Sequence, residues 1–91
     1  MANIEIYTSS LCPYCYEAKR ILNRYAVSYH EISIIMILGW KFPNNNFKSM
    51  LHRTGGKKTV PQIIINDDYY GDEDTLKVDE AAGKLAEILS Q

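Results

Sequence analysis

The chain has two cysteines, and both stand in S-L-C-P-Y-C-Y-E-A-K, Ser10 to Lys19. This stretch constrains the fold more than any other, because one backbone period gives way to another across it. Before it, Ile4 and Ile6 alternate with Asn3 and Glu5, and Tyr7-Thr8 follow, which is the period of a short strand. After it, Ala18, Ile21, Leu22 and Tyr25 share one face of a helix. Ser9 to Leu11 make the tight connection between them. Ser28 to Ile34 alternates again. Strand, helix and strand within about thirty residues predict a βαβ unit with parallel strands and a right-handed crossover.

The remainder is read the same way. Ile35 to Pro43 has no clear period, but Pro43-Asn44-Asn45-Asn46 offers a turn and an N-cap for a second helix over Phe47 to Arg53. Gly55-Gly56 stops that helix. In Gln62 to Asn66, three isoleucines in a row predict a strand covered on both faces. Asn66-Asp67-Asp68 is a turn, and Tyr69-Tyr70-Gly71 returns as an antiparallel strand. Asp72 to Asp74 open a third helix, with Leu76, Val78, Ala81, Ala82, Leu85, Ile88 and Leu89 as its buried face and Gly83 as a break point. The expected order is β-α-β-α-β-β-α.

At 91 residues and 46% hydrophobic, the chain is expected to be one small domain, residues 1–91. A net charge of −1 gives no reason to expect a nucleic-acid partner. The longest apolar run, Ile34 to Leu38, is too short to span a bilayer, so no membrane partner is expected. M-A-N-I-E-I-Y-T lacks the basic and apolar regions of a signal peptide, so a cytoplasmic location is expected. In that reducing compartment a cysteine pair is more often catalytic or metal-binding than structural.

The chemistry of the pair follows from where the helix begins. With Cys12 at the N-cap, Pro13 falls at the first helical position, where its missing N–H costs nothing, and Cys15 falls at the third. An N-cap side chain accepts from the amides of the second and third positions. Here that acceptor is sulfur, and the helix dipole adds to the effect. Both favour thiolate, so Cys12 is the expected nucleophile, with a pKa below that of a free thiol. Cys15, a turn further in, is placed to attack a mixed disulfide formed on Cys12. A zinc site would need four ligands, and His30 and His52 lack a metal-ligand spacing and read as structural or surface residues. No bound metal is expected.

C-P-Y-C after a short first strand, Ala18-Lys19, T-V-P-Q-I at Thr59 to Ile63, and a hairpin ending in Gly71 before an acidic helix start resemble the dithiol class of the glutaredoxin family. The resemblance covers nearly the whole chain apart from about Ile35 to Asn46. It implies a thioredoxin-like α/β fold, a four-stranded mixed sheet flanked by helices on both faces. It implies a glutathione-dependent disulfide oxidoreductase, with Cys12 as nucleophile, Cys15 as resolving thiol and glutathione as co-substrate. It implies a cis Val60–Pro61 bond that turns the Val60 backbone toward Cys12. Carried over residue by residue, Tyr14, Thr59, Val60 and Pro61 would flank glutathione. The Glu73 and Asp74 amides would bind its γ-glutamyl carboxylate, and the Asp74 carboxylate would take its ammonium. Lys48 and Lys58 would be candidates for its glycyl carboxylate. The implied partners are glutathionylated or disulfide-containing proteins, and the implied state is a monomer.

Three departures from the family pattern stand out. Gly71-Asp72 replaces the usual Gly-Gly, placing an extra carboxylate beside an anion-binding helix start. Ser9 stands where a lysine is common, removing a positive charge near the thiolate. The segment I-M-I-L-G-W-K-F-P-N-N-N is long and apolar, with Trp40 and Phe42 read as caps of the core or, alternatively, as a contact patch for a partner protein. Two other functions fit a relative of this kind. An iron–sulfur carrier, with Cys12 and glutathione as ligands across a dimer, is disfavoured by Pro13. A thioredoxin-like reductant fed by a flavoprotein would work without glutathione.

Overall fold

The structure, a computed structural model, describes residues 2–34, 36–37, 40–41 and 45–91, with the backbone alone at 36–37 and 40–41. In chain order its elements are β1 (Ile4–Thr8), α1 (Pro13–Arg24), β2 (His30–Ser33), β3 (Met36–Ile37), β4 (Trp40–Lys41), α2 (Asn45–Thr54), β5 (Gln62–Ile65), β6 (Asp68–Gly71), α3 (Glu73–Ala81) and α4 (Leu85–Leu89). The main sheet has four strands in the order β2-β1-β5-β6. β1 runs parallel to β2, with Glu5 opposite His30. β5 is antiparallel to both β1 and β6. The parallel β1–β2 pair and the antiparallel β5–β6 pair are those that the βαβ pattern and the hairpin predict, and the four-stranded mixed sheet is the thioredoxin-like one that the resemblance implies.

Alternation in the strands separates two cores. Ile4 and Ile6 of β1, with Ile63 and Ile65 of β5, face Ala18, Ile21 and Leu22 of α1, Leu76 of α3, and Leu85 and Leu89 of α4. Tyr7 and Ile64 point the other way, toward Ile34 and Met50 of α2. Successive strand residues project to opposite faces. The three consecutive isoleucines of β5 are therefore all buried, Ile64 in one core and its neighbours in the other. Each such side chain contributes about 1.5–3 kcal/mol.

The register also sets up the site. Tyr7 is opposite Gln62, so the loop leaving β1 toward Cys12 runs beside the Thr59–Pro61 loop that enters β5.

Two features differ from the sequence reading. β3 and β4 pair as a small hairpin, Met36 with Lys41 and Ile37 with Trp40, inside the segment without a period. Strands of two residues are too short to show alternation. The side chains of Trp40 and Phe42 lie outside the described residues, and α2 begins at Asn45, so Asn45 and Asn46 of the expected turn and cap belong to the helix itself.

The last helix is also two helices, because Gly83 adopts φ 73° between α3 and α4. Val78, Ala81 and Ala82 are consequently exposed rather than buried. Val78 is two residues, about 200°, around the helix from the buried Leu76, so the two cannot share a face.

Candidate active site

Leu11, at φ 58°, swings the chain from β1 into α1. Cys12 is the N-cap of α1, in an extended conformation, and Pro13 takes the first helical position. The Cys15 amide donates to Cys12 Sγ at 3.1 Å. Cys12 is half-buried, whereas Cys15 is 2% exposed. The two form a disulfide with their Cα atoms 5.3 Å apart. On reduction, the same amide and the helix dipole act on the Cys12 sulfur and favour its anionic form.

The facing loop carries a cis Val60–Pro61 bond, and the Val60 carbonyl oxygen lies 3.9 Å from Cys12 Sγ. Gln62, 1% exposed, fixes this loop from below. Its Nε2 donates to the Thr59 carbonyl at 2.9 Å and to Thr59 Oγ1 at 3.1 Å. Its Oε1 accepts from the Tyr69 hydroxyl at 2.7 Å. Sequence reading gave Gln62 no role. The available signal was a lone amide between Pro61 and three isoleucines, a polar group that must find partners once buried.

Beside this loop lies an open hollow of about 370 Å³, lined by Tyr14, Thr59–Pro61, Asp72–Asp74 and Lys77. That volume is within the range of small-molecule sites, roughly 300–1,000 Å³. The hollow brings together Tyr14, Thr59, Val60, Pro61, Glu73 and Asp74, six of the residues that the sequence singled out. Lys48 and Lys58 do not line it.

A second open hollow, of about 510 Å³, contains Cys12, Cys15, Ser9, Leu11, Tyr16 and Lys19. Lys19 is the cation on that side. It pairs at 3.0 Å with Glu31, which also accepts from the Thr8 hydroxyl at 2.7 Å. The Thr8 hydroxyl first, and then Lys19, hold the Glu31 carboxyl below its ordinary value.

The start of α3 forms the far wall of the first hollow. Asp72 is its N-cap, in a reciprocal capping box. Thr75 N donates to Asp72 Oδ1 at 3.2 Å, and Asp72 N donates to Thr75 Oγ1 at 3.3 Å. The unusual carboxylate at position 72 is thus occupied by the helix it caps. Among the described residues, the amides of Glu73 and Asp74 make no hydrogen bond. Two free N–H groups at a helix start suit a carboxylate.

Lys77 was missed by sequence reading. It bridges Glu73 at 2.7 Å and Glu17 of α1 at 3.1 Å. Glu73 first, and then Glu17, raise the Lys77 pKa above its ordinary value. The signal was the i,i+4 spacing of Glu73 and Lys77. Among the described residues, no group of three or more His, Cys, Asp or Glu side chains is placed to hold a metal ion.

The glutaredoxin family model matches residues 4–70. The chain belongs to the glutaredoxin family. Glutaredoxin 3 of Escherichia coli is 37% identical over 89 residues, covering 98% of this chain and 99% of that one. The solution structure of a glutaredoxin from Brucella melitensis is 34% identical with a TM-score of 0.75, covering 98% of this chain and 89% of that one. A crystal structure of a buckwheat glutaredoxin–glutathione complex superposes with a TM-score of 0.77 at 20% identity, over 98% of this chain and 77% of that one, and shares the fold. As a glutaredoxin with a C-P-Y-C pair, the chain is a thiol–disulfide oxidoreductase of the dithiol class.

Proposed function

We infer that this glutaredoxin uses glutathione, and that Cys12 is the group that carries it. The observation that supports this most directly is the Cys15 amide donating to Cys12 Sγ at 3.1 Å, beside the cis Val60–Pro61 loop. The Cys12 thiolate attacks the glutathione sulfur of a protein–glutathione mixed disulfide. A Cys12–glutathione disulfide forms, and the protein sulfur leaves as a thiolate. A second glutathione thiolate attacks this adduct and releases oxidised glutathione with free Cys12. That route needs Cys12 alone.

A protein disulfide needs both cysteines. Cys12 attacks it, and one protein sulfur leaves as a thiolate. Cys15, losing its proton, then attacks Cys12 Sγ and expels the second protein sulfur. The resulting Cys12–Cys15 disulfide is reduced by two glutathione molecules. The first forms a mixed disulfide with Cys12, and the second releases oxidised glutathione.

In this reading Tyr14 and the Thr59–Pro61 backbone flank the bound tripeptide. The Glu73 and Asp74 amides hold its γ-glutamyl carboxylate, and the Asp74 carboxylate holds its ammonium. Lys58 and Lys48, which do not line the hollow itself, are the candidates for its glycyl carboxylate. The buckwheat relative is in complex with glutathione, and a hollow of small-molecule volume, lined by Val60 whose carbonyl lies 3.9 Å from Cys12 Sγ, favours the same ligand here. The protein partners are glutathionylated or disulfide-containing proteins. The chain works as a monomeric single domain in the cytosol, and a dimer mass by sedimentation would contradict the monomer.

The test is a coupled assay with glutathione, glutathione reductase and NADPH on a small glutathione mixed disulfide. The reading predicts rapid NADPH loss. No turnover by the folded protein would overturn it, and turnover supported instead by a flavoprotein thioredoxin reductase would replace it.

A further inference from the structure

The hollow beside Cys12 combines an anion-binding helix start with three carboxylates. Asp72, Glu73 and Asp74 line it, and among its described lining residues Lys77 is the one cation. The three acids differ in where their charge sits. Asp72 Oδ1 is turned back onto Thr75 and caps the helix. Asp74 is exposed. Glu73 is buried, with its side chain 8% exposed, and it belongs to the same helical turn as the two free amides. An uncompensated charge there would oppose the positive end of α3 and repel any carboxylate arriving at those amides. Lys77 Nζ sits 2.7 Å from that carboxylate, and Glu17 on α1 holds Lys77 from the other side at 3.1 Å.

We propose that Lys77 determines affinity for the thiol co-substrate. By neutralising the buried Glu73 carboxylate, it keeps the start of α3 receptive to the co-substrate's carboxylate. Lys77 acts through Glu73 and touches neither reacting sulfur, so it is a positioning residue for binding and not for chemistry. The inference rests on the glutathione reading above.

The experiment is steady-state kinetics with glutathione varied and the mixed disulfide saturating, on the full chain and four variants. Lys77→Met should raise the KM for glutathione about fivefold while kcat stays within about twofold, as expected for losing one half-exposed cation beside the binding site. Lys77→Arg should keep the KM near that of the parent. In the double variant Glu73→Gln/Lys77→Met both charges are gone, and KM should return to within about twofold of the parent. Glu73→Gln alone, an isosteric change that leaves no buried charge, should lower KM by about threefold, because one negative charge is lost at the start of α3 while Lys77 keeps only its Glu17 partner.

An unchanged KM in folded Lys77→Met overturns the proposal. So does a KM that stays raised in the double variant, which would make Lys77 a direct contact. If Lys77→Met does not fold, Glu73→Gln decides, and an unchanged or raised KM there overturns the proposal. Absence of turnover by the parent chain at every glutathione concentration would instead refute the glutathione reading, and this inference with it.

Discussion

Gly71→Ala should be the most damaging single-methyl change in the groove, and the structure says why. Gly71 ends β6 at φ 150°, a conformation that residues with a side chain rarely adopt. A Cβ there would lie 2.3 Å from Thr75 Oγ1 and 2.7 Å from Thr75 Cβ. Thr75 cannot retreat without breaking the capping box, since its hydroxyl accepts from Asp72 N and its amide donates to Asp72 Oδ1. Losing the cap costs about 1 kcal/mol. Forcing a methyl into a filled space costs about 1–3 kcal/mol more. The expected destabilisation is therefore about 2–4 kcal/mol, which for a chain of this size lowers Tm by about 10–20 °C. Urea and thermal unfolding measure it. Because the same turn presents the Glu73 and Asp74 amides, the KM for glutathione should rise as well. Thr75→Ala removes the atoms that clash, so the double variant Gly71→Ala/Thr75→Ala should recover part of the loss. Gly55→Ala, where no atom lies within 4 Å of the new methyl, gives the cost of a positive φ alone. A Gly71→Ala loss no larger than that of Gly55→Ala would refute the argument from close approach.

Three further outcomes follow from the site. Cys15→Ser should retain reduction of glutathione mixed disulfides and lose reduction of protein disulfides, whereas Cys12→Ser should lose both; loss of both in Cys15→Ser would end the division of roles. Gln62→Leu should cost about 1–3 kcal/mol, from three broken hydrogen bonds and an unpaired Tyr69 hydroxyl, and should raise the KM for glutathione by freeing the Thr59–Pro61 loop; an unchanged KM would show that the loop is held by other contacts. Glu31, held below its ordinary 4.5 by Thr8 and then Lys19, contributes stability that is present above that value and lost as pH falls through its lower folded value. Its side chain is 40% exposed, so Glu31→Gln should cost under about 1 kcal/mol at neutral pH and nothing once the carboxyl is protonated in both states; a difference that persists in acid would contradict the pairing.

The residues whose roles depend on local backbone order were legible in the sequence. Cys12, Pro13 and Cys15 declare a helix start by their types and spacing, and the structure has that start with the sulfur as acceptor. The isoleucine triplet declares a doubly covered strand because burial on both faces removes the alternation. The cis Val60–Pro61 bond came from resemblance, because an X-Pro dipeptide alone does not distinguish the isomers.

What could not be read depends on contacts between distant segments. Lys77 joins α1 to α3 across 60 residues, and Gln62 reaches Tyr69 through the hairpin. The i,i+4 spacing shows Glu73 as a partner of Lys77, but not Glu17, and the turn after β5 does not show that Tyr69 bonds Gln62. Asp72 looked like a defect in an anion site. In the fold its carboxylate is an N-cap, a role that the three-residue spacing to Thr75 permits but does not require. Val78 was grouped with Leu76 by its apolar type alone, although two residues along a helix lie about 200° apart and cannot share a face.

The central claim is that Cys12 is the sulfur that takes glutathione. The most direct measurement is the intact mass of reduced Cys15→Ser and Cys12→Ser after each is mixed with a small glutathione mixed disulfide. The account predicts one glutathione added to Cys15→Ser, necessarily on Cys12, within the mixing time. It predicts none on Cys12→Ser over the same time, because Cys15 is 2% exposed. A rapid adduct on Cys12→Ser, with Cys15→Ser unmodified, would assign the nucleophile to the wrong sulfur and contradict the account.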